Sequence, residues 1–364
     1  MTLIKAAVCN ESRTDLTIEE IKLLSPEQDE IRVTVEACAI CHSDITYIDG
    51  GWSIGYPVVL GHEVSGKVTE VGPGTKTKLD IGDQVVVSLI RTCGKCLACK
   101  RGHDVACTGK LRLHETSPLA TKTGEVITHG LNTGGFAEEV VVHISQCVPV
   151  PKDLPAAFAA LLGCGVMTGL GAVFNTAQVE SGDTTVIVGC GGVGLASVQG
   201  AKISEAEYVI AVDPLENKRE LAIELGATHA LEPSEDLHEI IQDITGGRLA
   251  DFVFVSTAAP SAISMSMQLI APMGALVLVG MPEDGVKSEF DPGLLAARNQ
   301  RILGSKMGTS KPHFDIPAMV DLWRDGKLDL ENMVSSTYPL ENINDALNEM
   351  RSGSAIRTVI CPGV

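Results

Sequence analysis

The feature that most constrains the fold is an alternation of apolar and helical stretches that begins at residue 184. Helical patterns such as NKRELAIELGA and EDLHEIIQDIT separate the apolar runs TTVIV, EYVIAV, ADFVFVS and ALVLVG. Strands that are apolar throughout and alternate with helices are typical of a parallel sheet covered on both faces. The chain is therefore predicted to contain an α/β domain with a doubly wound parallel sheet over residues 166–306.

A glycine-rich loop follows the first apolar run and opens the next helix. Its pattern, Gly189-x-Gly191-x-x-Gly194, permits a tight turn and a close approach of the backbone to a pyrophosphate. Asp213, at the end of the next run, is predicted to bind the ribose hydroxyls of NAD and to repel the 2′-phosphate of NADP. The residues predicted to bind NAD in this Rossmann motif are Gly189, Gly191, Gly192, Val193, Gly194, Asp213 and Lys218. The alternatives are a simple tight turn with an aspartate helix cap, and a solvated Lys218.

The first 150 residues have a different pattern. The turn signals VGPGT, IGD and DGG interrupt short strands such as IRVTVEACAI and DQVVVSLI, which favours a β-rich, barrel-like fold. After residue 306 the alternation stops, and the helical segments FDIPAMVDLWRDG and ENINDALNEMRSG lead to a final strand, IRTVIC. We expect this tail to return to the first domain, which would then comprise residues 1–165 and 307–364.

Charge and composition exclude several classes of partner. The formal net charge of −18 disfavours binding to nucleic acid and to anionic lipid surfaces. The stretch from Leu154 to Val179 is uncharged and has the length of a membrane span, but its glycines favour a buried segment of a soluble protein. The N-terminus, MTLIKAAVCN, has no secretory signal pattern, so we predict a cytoplasmic location.

Four cysteines lie close together in the segment CGKCLACKRGHDVAC. Two residues between successive cysteines allow a turn to place their thiolates on one tetrahedral ion. Four thiolates complete a closed structural zinc site, although an iron–sulfur cluster accepts comparable spacing. The predicted structural zinc ligands are Cys93, Cys96, Cys99 and Cys107. His103, in the same loop, is expected to be a surface residue.

Three further segments carry metal-ligand residues that spacing alone does not join: Cys41 in AICHSDITYIDG, His62 in VVLGHEVSG and Cys164 in LLGCGVMTG. Together with the four-cysteine loop and the glycine loop, they resemble the zinc-dependent alcohol dehydrogenases of the medium-chain dehydrogenase/reductase superfamily along essentially the whole chain. The resemblance implies a GroES-like catalytic domain beside the Rossmann domain. It also implies a catalytic zinc ion held by Cys41, His62 and Cys164, with one open position and with Glu63 as a group that replaces a ligand during exchange. Two zinc ions per chain are therefore expected.

The resemblance assigns further residues to catalysis. Ser43 matches the hydroxyl that removes the proton of the alcohol. Thr46 stands where several relatives carry a histidine that passes this proton to solvent, so the last step of the relay departs from the family. His42 and Arg357 match residues placed against the cofactor pyrophosphate.

Two other residues, Trp52 and Leu89, align with positions that line an apolar substrate pocket, and core packing is the alternative for both. The expected reaction is reversible hydride transfer between a primary or secondary alcohol and NAD, in the cleft between the two domains. We expect a homodimer or a homotetramer.

Two other functions are considered. The first is an NAD-dependent dehydrogenase of a thiol–formaldehyde adduct, which needs basic residues such as Arg112 and His114 for an anionic thiol carrier. The second is a redox sensor that responds to NAD(H) or metal through its thiolates. The sensor explains the cysteines, but it gives no reason for an open Cys-His-Cys site beside a nicotinamide.

Overall fold

The computed structural model describes residues 1–363, which form two compact units. Unit 1 comprises Met1–Cys164, Lys311–Asp325 and the chain from Leu330 onward, and unit 2 comprises Gly165–Ser310 and Gly326–Asp329. The predicted domain limits lay at residues 165 and 307. The described strands are β1 (Thr2–Cys9), β2 (Thr17–Leu23), β3 (Glu30–Ala39), β4 (Val58–Val59), β5 (Glu63–Val71), β6 (Gln84–Val87), β7 (Leu119–Ala120), β8 (Val126–His129), β9 (Glu139–His143), β10 (Cys147–Pro149), β11 (Thr184–Val188), β12 (Tyr208–Val212), β13 (His229–Leu231), β14 (Ala250–Val255), β15 (Ile270–Leu278), β16 (Arg301–Gly304), β17 (Val334–Tyr338) and β18 (Arg357–Ile360).

The α-helices have at most seven residues before residue 165, and the longest in the described residues is Pro312–Arg324, with 13. In the described residues they are α1 (His42–Ile48), α2 (Leu97–Lys100), α3 (Arg112–Glu115), α4 (Ala156–Leu161), α5 (Gly165–Gly171), α6 (Gly192–Ile203), α7 (Glu216–Leu225), α8 (Leu237–Ile244), α9 (Pro260–Ser266), α10 (Pro292–Ala297), α11 (Pro312–Arg324) and α12 (Ile343–Ser352). A π-helix, Ala172–Ala177, continues α5. Single-turn 3₁₀ helices lie at Asp104–Ala106, Gly130–Asn132, Ile144–Gln146, Met267–Leu269, Lys306–Thr309 and Leu340–Asn342.

Unit 1 is built from a closed barrel and a larger sheet. The barrel has the strand order β1-β2-β7-β8-β4, and the sheet has the order β10-β6-β5-β3-β18-β17 with β9 paired to β3. Fully buried side chains such as Ile21, Ile31 and Phe136 fill its core. The C-terminal strand β18 pairs with β3, so the tail of the chain contributes to the sheet that also contains β5 and β6.

Unit 2 contains one parallel sheet of six strands in the order β13-β12-β11-β14-β15-β16. Every residue of β11 is buried, as expected for a strand covered on both faces. The strand order reverses between β11 and β14, and ligands of doubly wound sheets bind at the carboxyl ends of strands at such a point. The α/β fold class, with a GroES-like and a Rossmann-type part, is confirmed.

The uncharged stretch between Leu154 and Val179 folds as α4, α5 and the π-helix rather than as one long helix. Gly169 allows a close approach to α6, because a Cβ at this position would lie 2.3 Å from the carbonyl oxygen of Val193. In the part of the chain that the structure describes, no helix has both the length and the apolar character that crossing a bilayer requires.

Candidate metal and dinucleotide sites

Four buried side chains from distant parts of unit 1 meet at one point. The metal-binding atoms of Cys41, His62, Glu63 and Cys164 all lie within 4.8 Å of one another. Cys41 caps α1 directly after β3, and His62 and Glu63 lie at the start of β5. The register of these strands, which pairs Ala39 with Glu63, brings the first three residues together. Cys164 joins them from the turn between α4 and α5.

Asp44 orients two of these side chains. Its Oδ2 atom accepts the backbone N–H of Cys41 at 3.0 Å, and its Oδ1 atom accepts the N–H of Gly61 at 2.9 Å. Oδ1 also lies 3.1 Å from Nδ1 of His62, so Nδ1 donates and Nε2 is directed to the other ligands. Sequence reasoning missed Asp44, although an acidic residue three positions after a helix cap is a recognisable capping signal.

The donor set fits a zinc ion. Nε2 of His62 is buried and has no protein partner among residues 1–363, and it lies beside the sulfur atoms of Cys41 and Cys164. A hydrogen bond from Cys164 holds the pKa of Cys41 well below its usual range, and the same contact raises the pKa of Cys164. Two sulfurs and one imidazole are the ligands of an open catalytic zinc site. Such a site releases the remaining thiol proton when the metal binds.

Glu63 forms a buried ion pair with Arg357. The contact joins Oε2 of Glu63 to Nη2 of Arg357, and each side chain is at most 4% exposed. Burial raises the pKa of Glu63 to about 7, although the guanidinium acts in the opposite direction. Sequence reasoning missed this pair. The predicted contact of Arg357 with the cofactor pyrophosphate stays a prediction.

The four cysteines of the CGKCLACKRGHDVAC loop also converge, and their sulfur atoms lie within 4.8 Å of one another. Backbone N–H groups point at the sulfurs: Cys96 donates to Cys93 at 3.3 Å, and Cys99 donates to Cys96 at 3.5 Å. The N–H of Cys99 contributes most to lowering the pKa of Cys96 to about 5. Gly109 must lack a side chain here, because a Cβ would lie 2.2 Å from Sγ of Cys93. The loop therefore offers four thiolates and no fifth ligand.

The predicted dinucleotide loop lies at the carboxyl end of β11, at the point where the strand order reverses. Gly189 has a φ of +93°, and Gly191 is the N-cap of α6, which begins with Gly192 and Val193. A Cβ at Gly194 would lie 1.8 Å from the carbonyl oxygen of Gly189. No other residue type fits there. The helix N-terminus is thus open to a pyrophosphate.

Asp213 follows β12 and lies beside this loop. Its Oδ2 atom accepts the N–H of Cys190 at 2.7 Å, and its Oδ1 atom accepts the N–H of Leu215 at 2.9 Å. The carboxylate is therefore fixed next to the glycine loop with acceptor capacity left over. Lys218, on α7, is half-buried. Burial raises the pKa of the Cys190 thiol, and the positive charge of Lys218 acts in the opposite direction.

Known proteins similar to this chain carry the same two parts. The family model of the alcohol dehydrogenase GroES-like domain matches residues 27–152, and that of the zinc-binding dehydrogenase matches residues 192–324. Alcohol dehydrogenase B of Mycobacterium tuberculosis is 35% identical, over 98% of this chain and 97% of its own. The chain belongs to the zinc-dependent medium-chain alcohol dehydrogenases. The probable S-(hydroxymethyl)glutathione dehydrogenase 1 of Schizosaccharomyces pombe is 32% identical, over 98% of this chain and 96% of its own.

The solved structure of benzyl alcohol dehydrogenase from Acinetobacter calcoaceticus matches this alcohol dehydrogenase fold with a TM-score of 0.92. It is 32% identical in sequence, and the match covers 99% of each chain. Members of this family are oxidoreductases, and membership supports zinc and a nicotinamide dinucleotide as cofactors.

The residues that the family resemblance assigns to proton transfer lie on α1. Oγ of Ser43 lies 3.7 Å from Sγ of Cys41 and is therefore beside the metal ligands. Thr46 lies one turn further along, and its hydroxyl donates to the carbonyl oxygen of His42 at 2.9 Å. His42 is exposed as the first residue of the helix. Only Ser43 is thus placed at the candidate alcohol dehydrogenase site itself.

The predicted pocket residues Trp52 and Leu89 are both half-buried. The Trp52 ring packs edge-on against Tyr47 of α1, with ring centroids 5.2 Å apart. Leu89 follows β6, whose Val87 pairs with Val64 of β5. Leu89 thus lies two residues beyond the strand that pairs with β5, and Trp52 packs on α1, the helix that Cys41 caps.

Proposed function

We propose that this protein is an NAD-dependent alcohol dehydrogenase that holds two zinc ions and interconverts primary or secondary alcohols with aldehydes or ketones. One observation carries the proposal. The buried set Cys41, His62 and Cys164 leaves one position open, and it occurs in a chain that also forms a glycine loop beside Asp213. Neither part alone implies this reaction, but together they supply a Lewis acid site and a hydride acceptor site.

The chain's own residues define the remaining chemistry. Zinc bound by Cys41, His62 and Cys164 would acidify the alcohol, and bound NAD would accept the hydride. We propose that the hydroxyl of Ser43, which lies beside the Cys41 sulfur, takes the proton of the alcohol. We propose that the proton then passes through a ribose hydroxyl of the cofactor and water, because the Thr46 hydroxyl is bonded to its own helix.

We propose a catalytic role for Glu63 as well. Its carboxylate is within reach of the same ion as the three ligands and is balanced by the Arg357 guanidinium. A carboxylate that changes partner between an arginine and a metal allows ligand exchange without an unpaired buried charge.

The preference for NAD rests on Asp213. Its carboxylate is fixed beside the glycine loop by two backbone N–H groups, where it would accept ribose hydroxyls and repel a 2′-phosphate. Gly189, Gly191 and Gly194 would contact the pyrophosphate through backbone groups, and we assign Lys218 to the adenosine ribose.

A thiol–formaldehyde adduct is the second candidate substrate, favoured by the similarity to the Schizosaccharomyces pombe relative. An anionic thiol carrier needs unpaired basic residues. Arg112 instead binds the buried carboxylate of Glu30 through Nε at 2.7 Å and through Nη2. The charge of Arg112 is already neutralised by Glu30, so we propose simple alcohols as the first candidate substrates.

We propose a cytoplasmic homodimer or homotetramer. Exposed apolar side chains support self-association: Met281, Phe290 and Leu294, which precede the edge strand β16, are 59%, 50% and 44% exposed. Sedimentation of the purified protein would give the number of chains in the assembly.

The test is NADH absorbance with a panel of primary and secondary alcohols, and with formaldehyde plus glutathione. We expect turnover of simple alcohols with NAD, a large preference for NAD over NADP, and erosion of that preference in Asp213→Ser. Asp251→Ser is the matched control, because Asp251 also accepts a backbone N–H, from Thr184 at 2.8 Å, but at the opposite end of the sheet. Turnover with formaldehyde plus glutathione alone would favour the thiol–formaldehyde adduct, and the absence of turnover with every compound would refute the proposal and would leave the redox sensor.

A further inference from the structure

The end of β6 lies against the candidate catalytic site. β6 ends at Val87, which pairs with Val64, the residue that follows Glu63. The segment before Cys164 packs on the same point, because a Cβ at Gly163 would lie 3.0 Å from the Val87 oxygen. Ser88 and Leu89 follow at the end of this strand, and we refer to these two residues as the wall.

A network of side-chain hydrogen bonds holds the backbone of this wall. Nδ2 of Asn132 donates to the carbonyl oxygen of Leu89 at 3.0 Å. Nη2 of Arg91 donates to the carbonyl oxygen of Asn132 at 2.8 Å, and Nε of Arg91 donates to Oε1 of Gln146 at 2.8 Å. Nε2 of Gln146, which is fully buried, donates to the carbonyl oxygens of Ser88 at 2.9 Å and Asn132 at 3.1 Å. These bonds form a closed loop between the end of β6 and the turn at residue 132.

That turn has an unfavourable backbone conformation. Leu131 has φ 48° and ψ 37°, and Asn132 has a φ of 62°, so two successive non-glycine residues are left-handed. A left-handed leucine is costly and persists only when its surroundings determine it, whereas asparagine tolerates this region. Here the determining contacts come from Arg91 and Gln146, which hold the Asn132 carbonyl. The half-buried Leu131 side chain is thereby held against the apolar core of unit 1.

A buried arginine such as Arg91 is an unusual residue to hold a backbone turn. It is 4% exposed, and no carboxylate lies within ion-pair distance of it in residues 1–363. Its Nη1 atom is buried without a protein partner. Arg32 of the same unit, which is 7% exposed, is by contrast paired with Glu70 at 3.2 Å and Glu139 at 3.3 Å. An uncompensated buried charge is costly, which points to a role that an apolar residue does not fill.

We propose that Arg91 is a positioning residue that sets the size of the alcohol accepted. It acts through Asn132 and Gln146, which hold the backbone carbonyl groups of Leu89 and Ser88. The inference rests on the proposed alcohol dehydrogenase function, because it concerns the substrate pocket of that site. Without the Arg91 guanidinium the left-handed turn is no longer held in place. The wall can then move and admit larger substrates.

The experiment compares kcat and KM for ethanol, butan-1-ol, benzyl alcohol and cyclohexanol in the zinc-loaded enzyme. In Arg91→Met the ratio of kcat/KM for ethanol to that for benzyl alcohol is expected to fall about tenfold, the scale on which hydrophobic pockets discriminate size. The change should lie mainly in a raised KM for ethanol. Arg91→Lys, with one ammonium group in place of a fork, should restore the ratio only in part. Arg32→Met is the matched control, since it removes a buried arginine far from this wall and should leave the ratio unchanged.

A second variant separates positioning from stability. Asn132→Gly adopts the left-handed conformation without strain but removes the amide that holds Leu89. It should therefore show the same loss of size selectivity with a melting temperature at or above that of the wild type. An unchanged ratio in Arg91→Met and Asn132→Gly, with wild-type turnover of alcohols intact, would overturn the positioning role alone. A wild-type enzyme that oxidises no alcohol would overturn this inference together with the proposed function.

Discussion

The two sulfur-containing clusters of this protein are assembled in opposite ways. Cys93, Cys96, Cys99 and Cys107 come from one short loop, are only partly buried, and receive hydrogen bonds from the loop's own backbone. The second cluster, formed by Cys41, His62, Glu63 and Cys164, is buried and depends on strand register and on Asp44. A cluster built by a loop organises only its surroundings, whereas a cluster built by a sheet exists only after the sheet has formed. The first is therefore suited to structure and the second to chemistry.

The largest contrast is expected from single ligand changes in the two clusters. Cys164→Ser should abolish alcohol oxidation in a protein that still folds, because the sheet that holds Cys41 and His62 does not depend on the ion. Elemental analysis should give two zinc ions in the wild type and one in this variant, with little change in the circular dichroism spectrum. Iron, or a single zinc ion, in the wild-type protein would contradict the assignment.

Cys96→Ser should have the opposite outcome. The closed site contributes its metal-binding free energy to the folding of its own loop, so the variant should melt roughly 10 °C lower or precipitate. The folded fraction should still oxidise alcohols, because Cys164 and its partners are intact. Differential scanning calorimetry with an activity assay on the same sample measures both effects. A variant that is fully stable but inactive would reverse the roles of the two clusters.

Within the buried cluster, the proton path can be divided between two hydroxyls. Ser43→Ala is expected to slow alcohol oxidation by at least about a hundredfold, because the proposed route passes the proton of the alcohol through this hydroxyl. Thr46→Ala should have little effect, since that hydroxyl donates to the helix. Thr46→His should speed the reaction near neutral pH, where imidazole accepts a proton. The rate of single-turnover NADH formation, measured as a function of pH in the wild type and the three variants, tests these three expectations. A larger loss in Thr46→Ala than in Ser43→Ala would exclude this route.

The smallest effect is expected from the carboxylate of Asp44, which supports the buried cluster. Asp44→Asn keeps the shape of the side chain but removes the charge that orients His62, so zinc affinity at the buried cluster should fall about 10- to 100-fold. Competition with a chelator, followed by residual activity, measures this affinity. Asp49→Asn is the control, because Asp49 ends the same helix but pairs with Arg351 at the surface. Equal zinc affinity in the two variants would show that Asp44 has no such role.

The same contrast explains what could be predicted from sequence. The four-cysteine loop is visible in its spacing, and the glycine loop is visible because strand, turn, helix and Asp213 follow one another in order. The buried cluster joins residues 41, 62 and 164, which only the family resemblance connected. Its geometry depends on a pairing between Ala39 and Glu63 that no local pattern encodes.

The supporting contacts were beyond sequence reasoning for a related reason. The partner of Glu63 is Arg357, and it arrives from the last strand of the chain through the pairing of β18 with β3. Asn132 tolerates a left-handed backbone, but the leucine side chain at position 131 gives no sign of one. In each case the decisive partner is distant in sequence, so local propensity carries no information about it.

The position of Asp213 bears on any attempt to engineer this protein for NADP. The carboxylate that would discriminate between the cofactors also accepts the N–H of Cys190 within the glycine loop and that of Leu215 in the following turn. An exchange to a small neutral residue therefore frees the loop at the same time as it removes the repulsion. A successful redesign needs to supply a replacement acceptor for the Cys190 amide before it adds a cation for the phosphate. Cofactor choice and loop rigidity are thus one engineering variable in this chain.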